Sequence, residues 1–80
     1  MVITVRFFAS YADSLGLEQT QLTLKPGDSI ADLLGSVAEL PGAASLPSNP
    51  LVAVNHVYAT LSTVLRPGDE VAVIPPVAGG

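Results

Sequence analysis

Cysteine and tryptophan are absent from these 80 residues, and histidine and methionine each occur once. Without thiols, neither a disulfide framework nor a thiolate-bound metal or iron–sulfur cluster can form. A single imidazole, His56, cannot assemble a metal site alone, so no metal site is expected. Basic residues are almost as scarce: Arg6, Lys25 and Arg66 stand against seven carboxylates, for a net charge of −4. Nucleic-acid binding needs a basic face that neutralises phosphates, and three scattered cations do not supply one. An acidic surface instead steers basic protein partners. No apolar run reaches the roughly 18 residues that span a membrane. The opening "VITVRFF" lacks a basic n-region and a long apolar stretch, so no signal peptide is read and the expected compartment is the cytoplasm.

What the chain does contain is enough for one small core. It is 49% hydrophobic and 12% charged, which is the reverse of a disordered composition. One domain over 1–80 is expected, burying only about 60% of its extended surface and therefore dependent on good packing.

The hydrophobic pattern orders the elements. In "VITVRFF", Ile3, Val5 and Phe7 fall on one side of a strand, with Val2, Thr4, Arg6 and Phe8 on the other, wetter side. "SYADSLG" reads as a short helical turn closed by Gly16, and "EQTQLTL" as a second strand. The main helix begins at "SIADLLGSVAEL", with Asp28 or Ser29 as cap and Asp32 at the positive helix end. Ile30, Leu33, Leu34 and Val37 line one helical face. Pro41–Gly42 ends that helix, and "PGAASLPSNP" is an irregular crossing in which Pro47 and Pro50 forbid regular structure. "LVAV" and "VYATL" read as a hairpin about Asn55–His56, because asparagine tolerates the left-handed turn conformation. "EVAVI" is the last strand, stopped by Pro75–Pro76. The echo between "LKPGDSIA" (24–31) and "LRPGDEVA" (65–72) is one turn used twice, with proline presetting φ, glycine taking positive φ and aspartate capping.

Strand, strand, helix, strand, strand and strand in this order make an α+β fold of the β-grasp, ubiquitin-like kind: a mixed sheet curled over one main helix. The first and last strands are expected to lie parallel at its centre. Such folds host many functions. The informative part is the end, residues 75–80, read as an extended tail. Pro75 and Pro76 favour an extended chain that aims away from the body, so less ordering entropy is lost on docking. Val77, Ala78, Gly79 and Gly80 then span roughly 12–14 Å. Gly79 and Gly80 have no Cβ, fit a narrow channel and leave the last carbonyl unshielded. A terminal carboxylate titrates at about 3.5 and is inert at neutral pH, so chemistry at Gly80 requires activation by another protein, for which an acyl-adenylate is the expected form.

"DEVAVIPPVAGG", the opening "VRFFA" and the central "AVN" together resemble the MoaD family, the small sulfur-carrier subunits of molybdopterin synthase, within the MoaD/ThiS group. The resemblance runs from 1 to 80. It implies that a MoeB-like enzyme uses ATP to adenylate Gly80 and that a persulfide sulfur donor converts it to a thiocarboxylate. It further implies that the tail enters a MoaE-like large subunit and gives its sulfur to cyclic pyranopterin monophosphate. The implied assembly is a heterotetramer of two small and two large subunits, with no cofactor bound to this chain. Phe8, Tyr58 and Ile74 align with the apolar patch that MoaD-like proteins present to both partners. Many relatives have phenylalanine where this chain has Val73 or Ile74. Asp69 and Glu70 are candidates for contacts with basic partner residues, Asp69 equally for a turn, and His56 is read as a turn residue. Carriers for thiamine thiazole, tRNA thiolation or cysteine synthesis share the Gly-Gly end, as do ubiquitin-like protein modifiers.

Overall fold

The computed structural model describes residues 1–46 and 49–76. Along the chain it forms strand β1 (Val2–Phe7), helix α1 (Ser10–Leu15), strand β2 (Gln19–Thr23), helix α2 (Ile30–Val37), a 3₁₀ turn (Ala43–Ser45), and strands β3 (Leu51–Val54), β4 (Val57–Tyr58) and β5 (Glu70–Ile74). The five strands make one sheet in the order β2-β1-β5-β3-β4. β1 and β5 run parallel at its centre with Val5 opposite Val71 and Phe7 opposite Val73, while the other neighbours are antiparallel. This is the α+β, β-grasp arrangement that the sequence predicts.

Alternation along β1 and β5 decides which face is dry. Ile3, Val5, Phe7, Val71 and Val73 are buried and meet Ile30, Leu33 and Val37 of α2, together with Tyr11, Leu24, Val52 and Leu65, in one cluster. The central position of β5 explains why "EVAVI" is apolar almost throughout. Leu34, expected on the inner face of the helix, is only half-buried, because the helix offers its packed stripe through Ile30, Leu33 and Val37.

Ser29 is the residue that caps α2. The Asp32 carboxylate accepts from the Ser29 N–H at 2.8 Å and from its hydroxyl at 3.1 Å, and these bonds hold the Asp32 pKa below the ordinary carboxylate value. The amides of Ile30 and Ala31 donate to the carbonyls of Thr63 and Leu61, at 2.9 and 3.0 Å. That use of the backbone corrects the expected extent of the hairpin. "VYATL" is a strand only over Val57–Tyr58, since the following carbonyls satisfy the open N–H groups of the helix instead of continuing a ladder. The hairpin turn itself is as expected, with Asn55 at φ 49° and His56 at φ 71°. The regular helix ends at Val37, before "AEL", in a tightened turn with Glu39 N–H on Ser36 and Leu40 N–H on Val37.

The repeated turn is also as read. Asp28 N–H donates to the Lys25 carbonyl and its carboxylate accepts from Lys25 N–H, at 3.0 and 2.9 Å. Asp69 and Arg66 make the same two bonds at 3.1 and 2.9 Å, with Gly27 and Gly68 at φ 90° and 86°. Asp69 is thereby committed to a turn.

Candidate docking face and tail

The outer face of the sheet is assembled by strand register. Side chains directly opposite one another share a face, so the pairs Gln19–Arg6, Arg6–Ala72, Ala72–Ala53 and Ala53–Tyr58 draw one row across all five strands. One step further along, Ile74 is opposite Leu51. Phe8 continues β1 by one residue past the Phe7–Val73 pair, and its N–H donates to the Val73 carbonyl at 3.3 Å. It therefore stands beside Ile74. The two rows form an apolar surface of Phe8, Ile74 and Leu51 next to a floor of Ala72 and Ala53, with Tyr58 at the far edge. Phe8 is 42% exposed, Leu51 36% and Tyr58 72%, while Ile74 is half-buried between its neighbours.

Phe8 and Ile74, predicted as contact residues, are thus adjacent, and Tyr58 joins them through two alanines. Leu51 was missed. Its signal was present in "LVAV", where the inward position of Val52 and the alternation of a strand put Leu51 on the outer face with Ala53.

Local structure holds these groups in place. Phe8 begins a turn in which Tyr11 N–H donates to the Phe8 carbonyl at 3.1 Å. Its second residue, Ala9, has φ 49° and ψ −125°, a conformation that favours glycine. On the other side, Asn55 donates from its backbone N–H to the Glu70 carbonyl at 2.8 Å. Its side-chain oxygen accepts from Glu70 N–H at 3.0 Å and its amide nitrogen donates to Asp69 at 2.9 Å. A single turn residue therefore sets where β5 starts. Arg6 and Glu70 form an ion pair at 3.6 Å on the outer face, both half-exposed, and such a pair in solvent contributes about 1 kcal/mol or less. Glu70, at the start of β5, stands one step along the outer face from Ala72, beside the apolar rows rather than within them.

β5 ends at Ile74, and Pro75 and Pro76 follow outside any regular element, the first half-buried and the second exposed. The residues expected to do the chemistry, Gly79 and Gly80, lie outside the described residues, as do Val77 and Ala78. Among the described residues there is no group of histidine and carboxylate side chains that could hold a metal, and no buried side-chain polar atom without a partner. His56 is exposed at the hairpin tip. Among the described residues, no helix is long and apolar enough to cross a membrane.

Comparison with known proteins places this geometry. The model of the ThiS family matches residues 5–80. The molybdopterin synthase sulfur carrier subunit of Chlamydomonas reinhardtii is 34% identical, with all of both chains covered. Among solved structures, the SAMP1 protein of Haloferax volcanii superposes with a TM-score of 0.85 at 25% identity over the whole of both chains. A chain from the Helicobacter pylori complex of subunits 1 and 2 of molybdopterin-converting factor gives a TM-score of 0.73 at 26% identity, again over both whole chains.

Proposed function

Because the chain belongs to the ThiS family, we propose that it is the sulfur-carrier subunit of a molybdopterin synthase, working through the carboxylate of Gly80. The observation that carries this reading is the course of β5. The strand sits at the sheet centre, passes between Phe8 and Leu51, and delivers the chain through Pro75–Pro76 into "VAGG". The named relative and the two-subunit complex of the Helicobacter relative support the same partner class.

In this mechanism the domain supplies a handle and a docking face. A MoeB-like enzyme transfers AMP from ATP to the Gly80 carboxylate, releasing pyrophosphate and making the carbonyl carbon electrophilic. The terminal sulfur of a donor persulfide attacks that carbon and AMP leaves. A donor thiol then cleaves the resulting sulfur–sulfur bond, becoming a disulfide and leaving the thiocarboxylate on Gly80. The tail enters a MoaE-like large subunit, where cyclic pyranopterin monophosphate takes the sulfur, and a dithiolene requires two such deliveries. The Phe8, Ile74, Leu51 and Tyr58 face seats the body while Gly79 and Gly80 occupy the narrow part of the site, in a cytoplasmic heterotetramer of two small and two large subunits. Preordering by the two prolines lowers the entropy lost on entry.

Intact-mass measurement of the protein from its native host tests the chemistry. Replacement of one oxygen by sulfur at the terminus is expected, together with copurification of a MoaE-like subunit. Appending one alanine after Gly80 should abolish transfer without changing the denaturation midpoint, and full activity of that variant would refute the terminal mechanism. A second reading, a protein modifier, is favoured by the likeness to a protein named as a small archaeal modifier; ladders of lysine-linked conjugates would establish it. Sulfur found at the terminus without a MoaE-like partner would point to thiamine thiazole, tRNA thiolation or cysteine synthesis.

A further inference from the structure

The two edges of the sheet are protected unequally. β4 is two residues long, and a short edge offers little backbone to another strand. β2 runs for five residues, "QTQLT", with no charge, proline or glycine among them. Edges this long are ordinarily blunted by lysine, proline, a bulge or a covering element, and no bulge interrupts the register from Val2–Thr23 to Arg6–Gln19.

Hydrogen bonding to β1 identifies which groups are open. Met1 and Leu24 exchange bonds in both directions, at 2.7 and 2.8 Å, and Phe7 N–H donates to the Glu18 carbonyl at 2.9 Å. In an antiparallel pair such bonded positions alternate. Leu24, Leu22, Thr20 and Glu18 therefore face β1, whereas the N–H and C=O groups of Gln19, Gln21 and Thr23 point away from the sheet. All three residues are exposed.

We propose that this edge pairs with the β2 edge of a second copy of the chain, antiparallel about a two-fold axis through Gln21, to make one continuous sheet. Identical strands paired in this way have few registers. Centring on Gln21 sets Gln21 opposite Gln21 of the second copy, and Gln19 opposite Thr23 of the second copy, so every outward group finds a partner. Two hydrogen bonds form at each of these positions, and a shift of the centre by one residue leaves an outward residue beyond the paired strand. The same register places half-buried Leu22 against Thr20 of the other copy on the inner side. Charge agrees with it. Although each copy carries −4, none of that charge lies between Gln19 and Thr23, so no like charges meet across the pair. At the ends, Lys25 comes opposite Leu17 of the second copy, beside its Glu18. The Phe8, Ile74 and Leu51 row lies on a face and not on this edge, so pairing leaves that row uncovered.

An edge contact buries less than the roughly 1,600 Å² of a standard interface and falls in the class of weak, transient contacts, so it is sought at concentrations up to about 1 mM. The test is sedimentation equilibrium and amide exchange by NMR on the full chain, from about 20 μM to about 1 mM. Dimer mass at the upper end, with protection growing at the amides of Gln19, Gln21 and Thr23, is the expected result. Gln21→Pro removes a donor that faces away from β1 and should raise the dissociation constant at least about tenfold with the fold intact. Gln21→Lys sets like charges opposite each other, should act in the same direction, and serves if the proline variant does not fold. A monomer at about 1 mM overturns the proposal, including the case where an added extended peptide protects the same amides. So does a dimer that both variants leave unchanged, or one whose protection maps to Phe8, Ile74 and Tyr58.

Discussion

Replacing Gly42 by alanine should destabilise the fold far more than the same change at Gly27, although both glycines have nearly the same φ, 88° and 90°. At Gly27 a methyl group would meet nothing within 4 Å. The cost there is that of holding an L-residue at positive φ, about 1–2 kcal/mol, partly offset by the lower entropy of the unfolded chain. At Gly42 the added Cβ would collide with the backbone carbonyl of Ser14, close to the end of α1. A carbonyl in a helix cannot rotate aside as a flexible side chain does, so α1 and the 3₁₀ turn must separate. Overpacking of this kind adds about 1–3 kcal/mol. The expected total for Gly42→Ala is about 2–4 kcal/mol, against about 1 for Gly27→Ala. In a chain of this size each kcal/mol moves the thermal midpoint by about 4–8 °C. Thermal and urea denaturation of the two variants side by side give the comparison, with the common φ effect cancelling in the difference. Equal midpoints for the two variants would refute the close approach of the crossing segment to α1.

Two further outcomes follow from local geometry and titration. Ala9→Gly should stabilise the protein by up to about 1 kcal/mol, because relief of the backbone conformation at φ 49°, ψ −125° exceeds the entropy that glycine adds to the unfolded state; a lowered urea midpoint would contradict it. Burial raises the Tyr11 pKa above its ordinary value near 10.0, so the unfolded chain releases that proton first as pH rises. Its contribution to stability is complete below about pH 10 and is lost as pH climbs through the folded value; the denaturation midpoint should fall over that range in the native sequence and fall less in Tyr11→Phe.

Much of the architecture was legible because it follows from period and punctuation. Alternation in "VITVRF" and "EVAVI", helical spacing from Ile30 to Val37, and the two Pro-Gly-Asp turns each depend on residues close in sequence, and each appears where expected. The end of β4 was not legible. Nothing in "VYATL" announces that the carbonyls of Leu61 and Thr63 are needed by the amides of Ile30 and Ala31, some thirty residues earlier in the chain. The candidate docking face was legible in part: parity alone puts Phe8 and Ile74 outward, but parity says nothing about which strands are neighbours.

The sequence by itself determined the strand and helix types, the acidic and thiol-free chemistry, and the Gly-Gly end that defines the proposed reaction. Those depend on composition and on short-range spacing. Only the tertiary structure decided that Phe8, Ile74 and Leu51 form one row, that Tyr58 reaches it across Ala53 and Ala72, and that β2 is left with an open edge. The physical reason is register. Side-chain parity is written in each strand, but adjacency is created by hydrogen bonds between strands far apart in the chain, and these form only when the whole sheet closes over α2.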